Sequence, residues 1–293
     1  MLNLIKMDLY RLVRSKSFWV MIIVTAVVAF ISAFATNFSY ESIESIADPE
    51  IMAEMGIDMD EETANSMSVG FTAELNELDN VLGGEKVYFT EYFNYDLSAL
   101  TVLIFCAIFP PIFVNAEQKY GFIKNIAGQL PNRGMLVIPK LCAVAVQVIV
   151  IFAVYIITSS LSCSILFGDR LVFDFSGEFI KVFALHFLLH YSFAVVVTAA
   201  TIFLRGSALS MTFGIIVSGG LTSFIYSFAD IILHKIGFSE DFSIGDFAIE
   251  SCVGDISTQI AGGDLARVIS VGAIFLTASV VVSMAAMYKR DVK

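Results

Sequence analysis

The sequence predicts an all-α polytopic membrane protein with six transmembrane helices and both termini on the cytoplasmic side. Three observations carry this expectation. The 293 residues are 57% apolar and 15% charged, with a mean hydropathy of +0.81, whereas soluble domains carry about 25% charged residues. Six intervals of at least 20 residues contain no Asp, Glu, Lys or Arg: Ser17–Tyr40, Leu97–Ala116, Leu141–Gly168, Val182–Leu204, Gly206–Ala229 and Val268–Tyr288. Each is long enough to cross a hydrocarbon core of ~30 Å at ~1.5 Å per residue. With both termini inside, twelve Lys and Arg flank the spans on the cytoplasmic side and five on the other, the asymmetry that orients membrane proteins. A β-barrel would show short alternating segments instead.

One membrane domain, 1–293, is therefore expected. Its first part, 1–17, has Leu2, Ile5, Leu9 and Leu12 on one side of a helix, with Lys6, Arg11, Arg14 and Lys16 among them. That pattern predicts an amphipathic helix lying on the inner surface; the alternative is a basic flank that only orients the first span. The first span follows over Phe18–Thr36, with Trp19 at the interface, where indole is favoured. Ala33-Phe34-Ala35 mimics a signal-peptidase site, but the apolar core and basic flank are both long for a cleaved leader.

The segment 38–96 is expected outside the membrane, since Phe38–Asp96 holds fifteen acids against the single base Lys86. Leu75, Leu78, Val81 and Leu82 predict a helix there, ended by Gly83-Gly84. Tyr88, Phe89, Tyr92, Phe93 and Tyr95 lead into the second span and are expected in the headgroup layer. Pro110-Pro111 predicts a kink or break within that span, because two residues without an N–H leave carbonyls unpaired one turn earlier.

Between the second and third spans lies 117–140, E-Q-K-Y-G-F-I-K-N-I-A-G-Q-L-P-N-R-G-M-L-V-I-P-K. Lys119, Lys124, Arg133 and Lys140 against one acid, Glu117, place it inside. Tyr120–Gly128 can form about two helical turns, with Pro131 and Gly134 turning the chain before Pro139 opens the third span. A short helix held between two spans transmits force to both; the plainer reading is a connector with orienting charges. In the fifth span, Gly206, Ser210, Gly214, Ser218 and Thr222 recur every fourth position. This stripe permits close helix approach, either inside the subunit or between subunits. An outer cap, 230–267, is again acidic, with seven acids and two bases between Asp230 and Arg267.

The chemistry speaks mostly by absence. No nucleotide-binding P-loop and no nucleophile-elbow motif is present. The six charge-free intervals offer only His186 and His190 as titratable candidates, on one helix face at i and i+4. They lack the Glu of H-E-x-x-H, so packing and hydrogen bonding inside the bundle are expected rather than a metal, haem or proton relay. Cys106, Cys142, Cys163 and Cys252 show no zinc spacing, and a Cys163–Cys252 bridge at the outer face stays open. No bound metal or cofactor and no nucleic-acid partner is expected.

The start M-L-N-L-I-K-M-D-L-Y-R-L-V-R-S-K-S-F-W, the stretch E-Q-K-Y-G-F-I-K-N-I-A-G-Q-L-P-N-R with Lys140 after it, and the end Y-K-R-D-V-K resemble the membrane subunits of type-2 ABC exporters. Small bacterial permeases for antimicrobial peptides and lipophilic drugs are the nearest kind. The resemblance implies a permease of the bacterial cytoplasmic membrane without its own ATPase site. It also implies an inner-surface amphipathic helix touching lipid and a coupling helix that docks a separate ABC ATPase, which binds the ATP. A second permease subunit, alike or different, would complete the pore. By position Glu117, Tyr120, Gly121, Lys124 and Arg133 would belong to or flank the coupling element. The outer segment 38–96 is longer than in many relatives. The alternative is an ATPase-independent immunity or sensor protein that binds a ligand through this acidic segment.

Overall fold

Four of the charge-free intervals fold into uninterrupted helices, and two are bent. The computed structural model describes residues 1–46, 78–119, 133–239 and 242–289. Among these residues, membrane-length apolar helices cover Lys16–Glu41, Arg133–Arg170, Gly177–Leu204 and Gly262–Tyr288. Two further apolar pairs, Phe89–Ser98 with Thr101–Ala116 and Ser207–Ser218 with Ser223–Ile236, bend by 58° and 69°. The protein is thus a helical, polytopic membrane protein with four straight spans, or six if each bent pair crosses the bilayer.

In chain order, α1 (Leu2–Arg14) is followed after Ser15 by α2 (Lys16–Ile46). Residues 78–82 are helical and end in a turn at Gly83, as the glycine pair predicts. A two-residue strand β1 (Val87–Tyr88) pairs in parallel with β2 (Leu171–Val172). Between them run α3 (Phe89–Ser98), α4 (Thr101–Lys119) and α5 (Val137–Phe167). Then follow α6 (Gly177–Leu204), α7 (Ser207–Ser218), α8 (Ser223–Ile236), the short α9 (Ile249–Gly254) and α10 (Gly262–Tyr288).

The α6 helix is the centre of the bundle: 61% of its most apolar window is buried within the protein, against 28% for α2 and for α10. It is capped by Ser176, whose hydroxyl accepts from the Glu178 N–H, and it ends at Arg205 in the left-handed region with φ 57°. Small residues set its contacts. A Cβ on Gly272 of α10 would lie 2.9 Å from Leu188 Cγ, and Ser192 Oγ donates to the Gly272 carbonyl at 2.9 Å.

The stripe on α7 packs inside the subunit. A Cβ on Gly214 would fall 2.8 Å from Ala107 Cβ on α4 and 3.2 Å from Val197 Cγ2 on α6. Ser210 is buried, and Thr201 Oγ1 of α6 donates to its Oγ at 2.7 Å. The α7 helix therefore fits between α4 and α6.

That packing corrects the expectation at Pro110-Pro111. The α4 helix runs through both prolines, and its break comes earlier, between Ser98 and Thr101, where Leu100 has φ 62°. The prolines deprive the carbonyls of Cys106 and Ala107 of their helical N–H. At that level α7 and α6 close on α4, which stays helical through both prolines.

The fifth interval is also not one straight span. Gly219 and Gly220, the latter at φ 72°, separate α7 from α8. No residue of α8 is buried, and Phe224, Phe228 and Ile236 are 78%, 67% and 71% exposed. The aromatic group before the second span is likewise relocated. Phe89, Tyr92 and Phe93 are fully buried, packed on Phe167, Phe175 and Phe179, while Tyr88 is exposed. They hold α3 against the end of α5 and the start of α6, at a 58° bend from α4.

Candidate functional site

Two sets of connections mark the two faces of the bundle. On one, α1 meets the ends of α4 and α5. On the other, α3, the β1–β2 pair and α9 form a hydrogen-bonded cap.

At the first face, α1 turns Leu12 fully inward, packs Leu4 and Leu9 against the core and leaves Ile5 half-buried and Leu2 exposed. The charged centre of this contact is Asp8, 2% exposed, with Arg11 Nη1 at 3.4 Å and the Lys140 charge of α5 facing it. Burial raises the Asp8 carboxyl above the ordinary carboxylate range, and Lys140 and Arg11 pull it back. Burial likewise lowers Arg11, with Asp8 opposing. The Arg11 guanidinium also lies over the Phe113 ring of α4, 4.8 Å from its centroid. A carboxylate that sequence patterning would assign to the wet side of α1 is thus its anchor to α5.

Of the expected coupling residues, Tyr120, Gly121 and Lys124 lie outside the described residues. Glu117 is in the last turns of α4, and Arg133 is exposed at the start of a short 3₁₀ turn, Arg133–Leu136, that leads into α5. Pro139 sits in the first turn of α5, where its missing N–H is tolerated. Lys140 is buried, 3% exposed. On the same face Asn115 Nδ2 of α4 donates to Ser207 Oγ of α7 at 3.0 Å.

At the opposite face α3 is the hub. Asn94 Nδ2 donates to the Ile256 carbonyl at 2.9 Å and Ser98 Oγ to that of Val253 at 3.4 Å. Thr90 N–H donates to Asp174 Oδ1, and Arg170 Nη2 reaches the carbonyls of Leu82 and Gly84 at 2.6 and 2.8 Å. Lys181 Nζ donates to the Thr258 carbonyl at 2.6 Å, and Arg267 pairs with Asp255 at 2.9 Å. Glu250 of α9, 5% exposed, accepts from Thr222 Oγ1 and Tyr226 OH at 2.5 and 2.8 Å, which fixes the bend between α7 and α8.

Deeper in the same hub is a residue the charge-free intervals excluded. Asp96, 1% exposed, sits between α2 and α5: Ser32 Oγ bonds its Oδ1 at 2.5 Å and Tyr155 OH its Oδ2 at 2.8 Å. Its neighbour Leu97 begins the second interval, so counting charge-free windows places Asp96 outside the membrane. The bend at Leu100 brings it back among the spans.

Both histidines are buried in this hub, and each has one ring nitrogen, Nδ1 of His186 and Nε2 of His190, without a hydrogen-bond partner among the described residues. Asn94 donates to Ile256, which leaves its Oδ1 to accept from His186 Nε2–H at 3.1 Å. His190 Nδ1–H donates to the His186 carbonyl at 2.7 Å, and its ring stands edge-on to Phe152. Among the described residues no group of three His, Cys, Asp or Glu is placed to hold a metal ion, and all four cysteines are free. Comparison with protein-family models, curated proteins and solved structures finds no match to the chain.

Proposed function

We propose that the chain is the permease subunit of an ATP-driven exporter of the type-2 ABC kind. It moves a hydrophobic or amphipathic substrate, a peptide or a lipophilic drug, across a bacterial cytoplasmic membrane. Energy comes from a separate ATPase docked on the α1 face, and a second permease subunit completes the pathway. The sequence stretches that resemble this family support the reading, as does the lack of a nucleotide-binding motif in the chain.

The observation that carries it is the Asp8 contact. The α1 helix packs on α5, where the Lys140 charge acts on the buried Asp8, and meets α4 through Arg11 over Phe113. The connection between α4 and α5 is the coupling segment. A protein pushing on that segment or on α1 therefore moves both spans together.

The test is a search for a neighbouring reading frame that encodes a Walker-motif ATPase, followed by co-expression of that ATPase with this chain. Lys124→Glu with Arg133→Glu should lower its co-purification and abolish substrate-stimulated ATP hydrolysis at unchanged membrane insertion. Undiminished ATPase binding would refute the docking assignment. Normal export without any ATPase would favour the immunity or sensor alternative. In a cysteine-free background, a cysteine at 245 should react with an impermeant reagent from outside and one at 128 should not. Labelling at 128 would overturn the orientation.

A further inference from the structure

A lone carboxyl group inside a bundle of apolar helices needs a reason. Transferring an isolated carboxylate into a low-dielectric interior is so unfavourable that the group is paired, coordinated or neutralised. Asp96 lies deep. Ser32 is nine residues before Glu41, where the apolar span of α2 ends, and Tyr155 twelve before Phe167, so at ~1.5 Å per residue the carboxyl is roughly 14–18 Å along the helices from those two residues.

The groups facing Asp96 can be named from each element around it. From α2 it meets the Ser32 hydroxyl and from α5 the Tyr155 hydroxyl, with the Cys163 thiol of α5 in the wider surroundings. From its own helix it meets the Tyr92 phenol, fully buried. Among the described residues no lysine, arginine or histidine faces it. The site therefore contains hydroxyl donors and acceptors and no compensating positive charge.

We propose that Asp96, held by Ser32 and Tyr155, is a proton-binding site of the membrane domain. With the proton bound, the carboxyl is uncharged: its O–H donates to Ser32 Oγ, and Tyr155 continues to donate to the other oxygen. Serine serves here because its hydroxyl can accept while passing its own hydrogen to a carbonyl one turn back in α2. Release is a simple dissociation, Asp96–COOH giving a carboxylate and a proton taken by water from the cap face. The resulting charge needs water, so the α3 hub loosens from α2 and α5 until the proton returns. Proton occupancy thus latches the cap to α2, which follows α1 in the chain, and to α5, on which α1 packs at the other face. The inference rests on the membrane fold and not on the ATPase reading.

The experiment uses the full chain in lipid nanodiscs, titrated from about pH 5 to about pH 9 and followed by infrared difference spectroscopy. A protonated-carboxyl stretch should be lost with rising pH, vanish in Asp96→Asn and shift in frequency in Tyr155→Phe, which keeps the acid. In parallel, amide exchange over residues 89–98, corrected for its intrinsic pH dependence, should accelerate at least about tenfold at the alkaline end. In Asp96→Asn, a permanent mimic of the proton-bound form, it should change less than about twofold. Absence of a band assignable to Asp96, a band that does not titrate, or exchange in Asp96→Asn that follows the parent each overturns the proposal. A carboxylate signature at every pH that responds to sodium would replace the proton by a metal cation and overturn it too.

Discussion

The close approach at Gly214 allows a stability prediction with its magnitude drawn from the structure. In Gly214→Ala the new methyl carbon would sit 2.8 Å from Ala107 Cβ and 3.3 Å from Ala107 Cα, while carbon atoms rest about 3.5–4.0 Å apart. Ala107 has no side chain that can swing aside, so α7 must move away from α4 by roughly 0.7–1 Å. Overpacking of this kind costs about 1–3 kcal/mol. At roughly 2–4 °C per kcal/mol for a chain approaching this size, the midpoint should fall by roughly 2–12 °C. Gly272→Ala is the control: its methyl group meets the Leu188 and Leu189 side-chain ends at 2.9–3.3 Å, which can rotate, and the loss should stay under about 1.5 kcal/mol. The assay is thermal denaturation in detergent, read by a thiol-reactive dye that reports exposure of buried Cys106, Cys163 and Cys252. Ala107→Gly in the Gly214→Ala background removes the clash and should restore most of the midpoint. An unchanged midpoint in Gly214→Ala, or no recovery in the double variant, would refute α7 packing between α4 and α6.

Ile5→Glu with Leu9→Glu leaves Lys6, Arg11, Arg14 and Lys16 to orient the first span, so insertion should be normal while transport is lost at equal membrane abundance. Transport like the parent's would reduce α1 to an orienting flank. His190→Gln keeps a donor and an acceptor, so it should preserve function and show no metal difference by elemental analysis; loss of a stoichiometric metal would contradict the packing role. Because burial raises the Asp8 carboxyl, the folded protein holds that proton over a window just above the ordinary value of 3.8. Stability should therefore fall as pH rises through that window and level off above it. Asp8→Asn should lack this component, measured as the difference in midpoint between the two proteins against pH, and identical pH profiles would show that Asp8 is not buried by α1.

The spans were legible because hydrocarbon imposes length and apolarity on any helix that crosses it. Charge counting succeeds for α2, α5, α6 and α10 because each is straight and begins and ends near its charges. It fails where the chain bends. Leu100, a non-glycine at φ 62°, gives no warning in sequence, and it returns α3 with Asp96 to the bundle. Gly219-Gly220 did signal a turn, but a charge-free window spans it without a break. Pro110-Pro111 do not break α4, which is packed there against α7 and α6. Asn94, the partner of His186 from α3, was not legible because it is 92 residues away from it in the chain. Asp8 was hidden by its type, as an acid in a basic amphipathic helix reads as solvent-facing.

The two faces are joined by the same pair of helices. The α2 helix starts one residue after α1 and carries Ser32; α5 carries Lys140 against Asp8 at one end and Tyr155 against Asp96 farther along. Lys140 and Tyr155 are fifteen residues apart on an uninterrupted helix, a lever arm of about 22 Å at ~1.5 Å per residue. A helix of that length, packed along its course, moves as a rod rather than bending. A displacement that separated Ser32 from Tyr155 would register in the hydrogen bonds of Asp96. Coupling between the faces needs no flexible relay, because both clamps on Asp96 are carried by helices that α1 adjoins or touches.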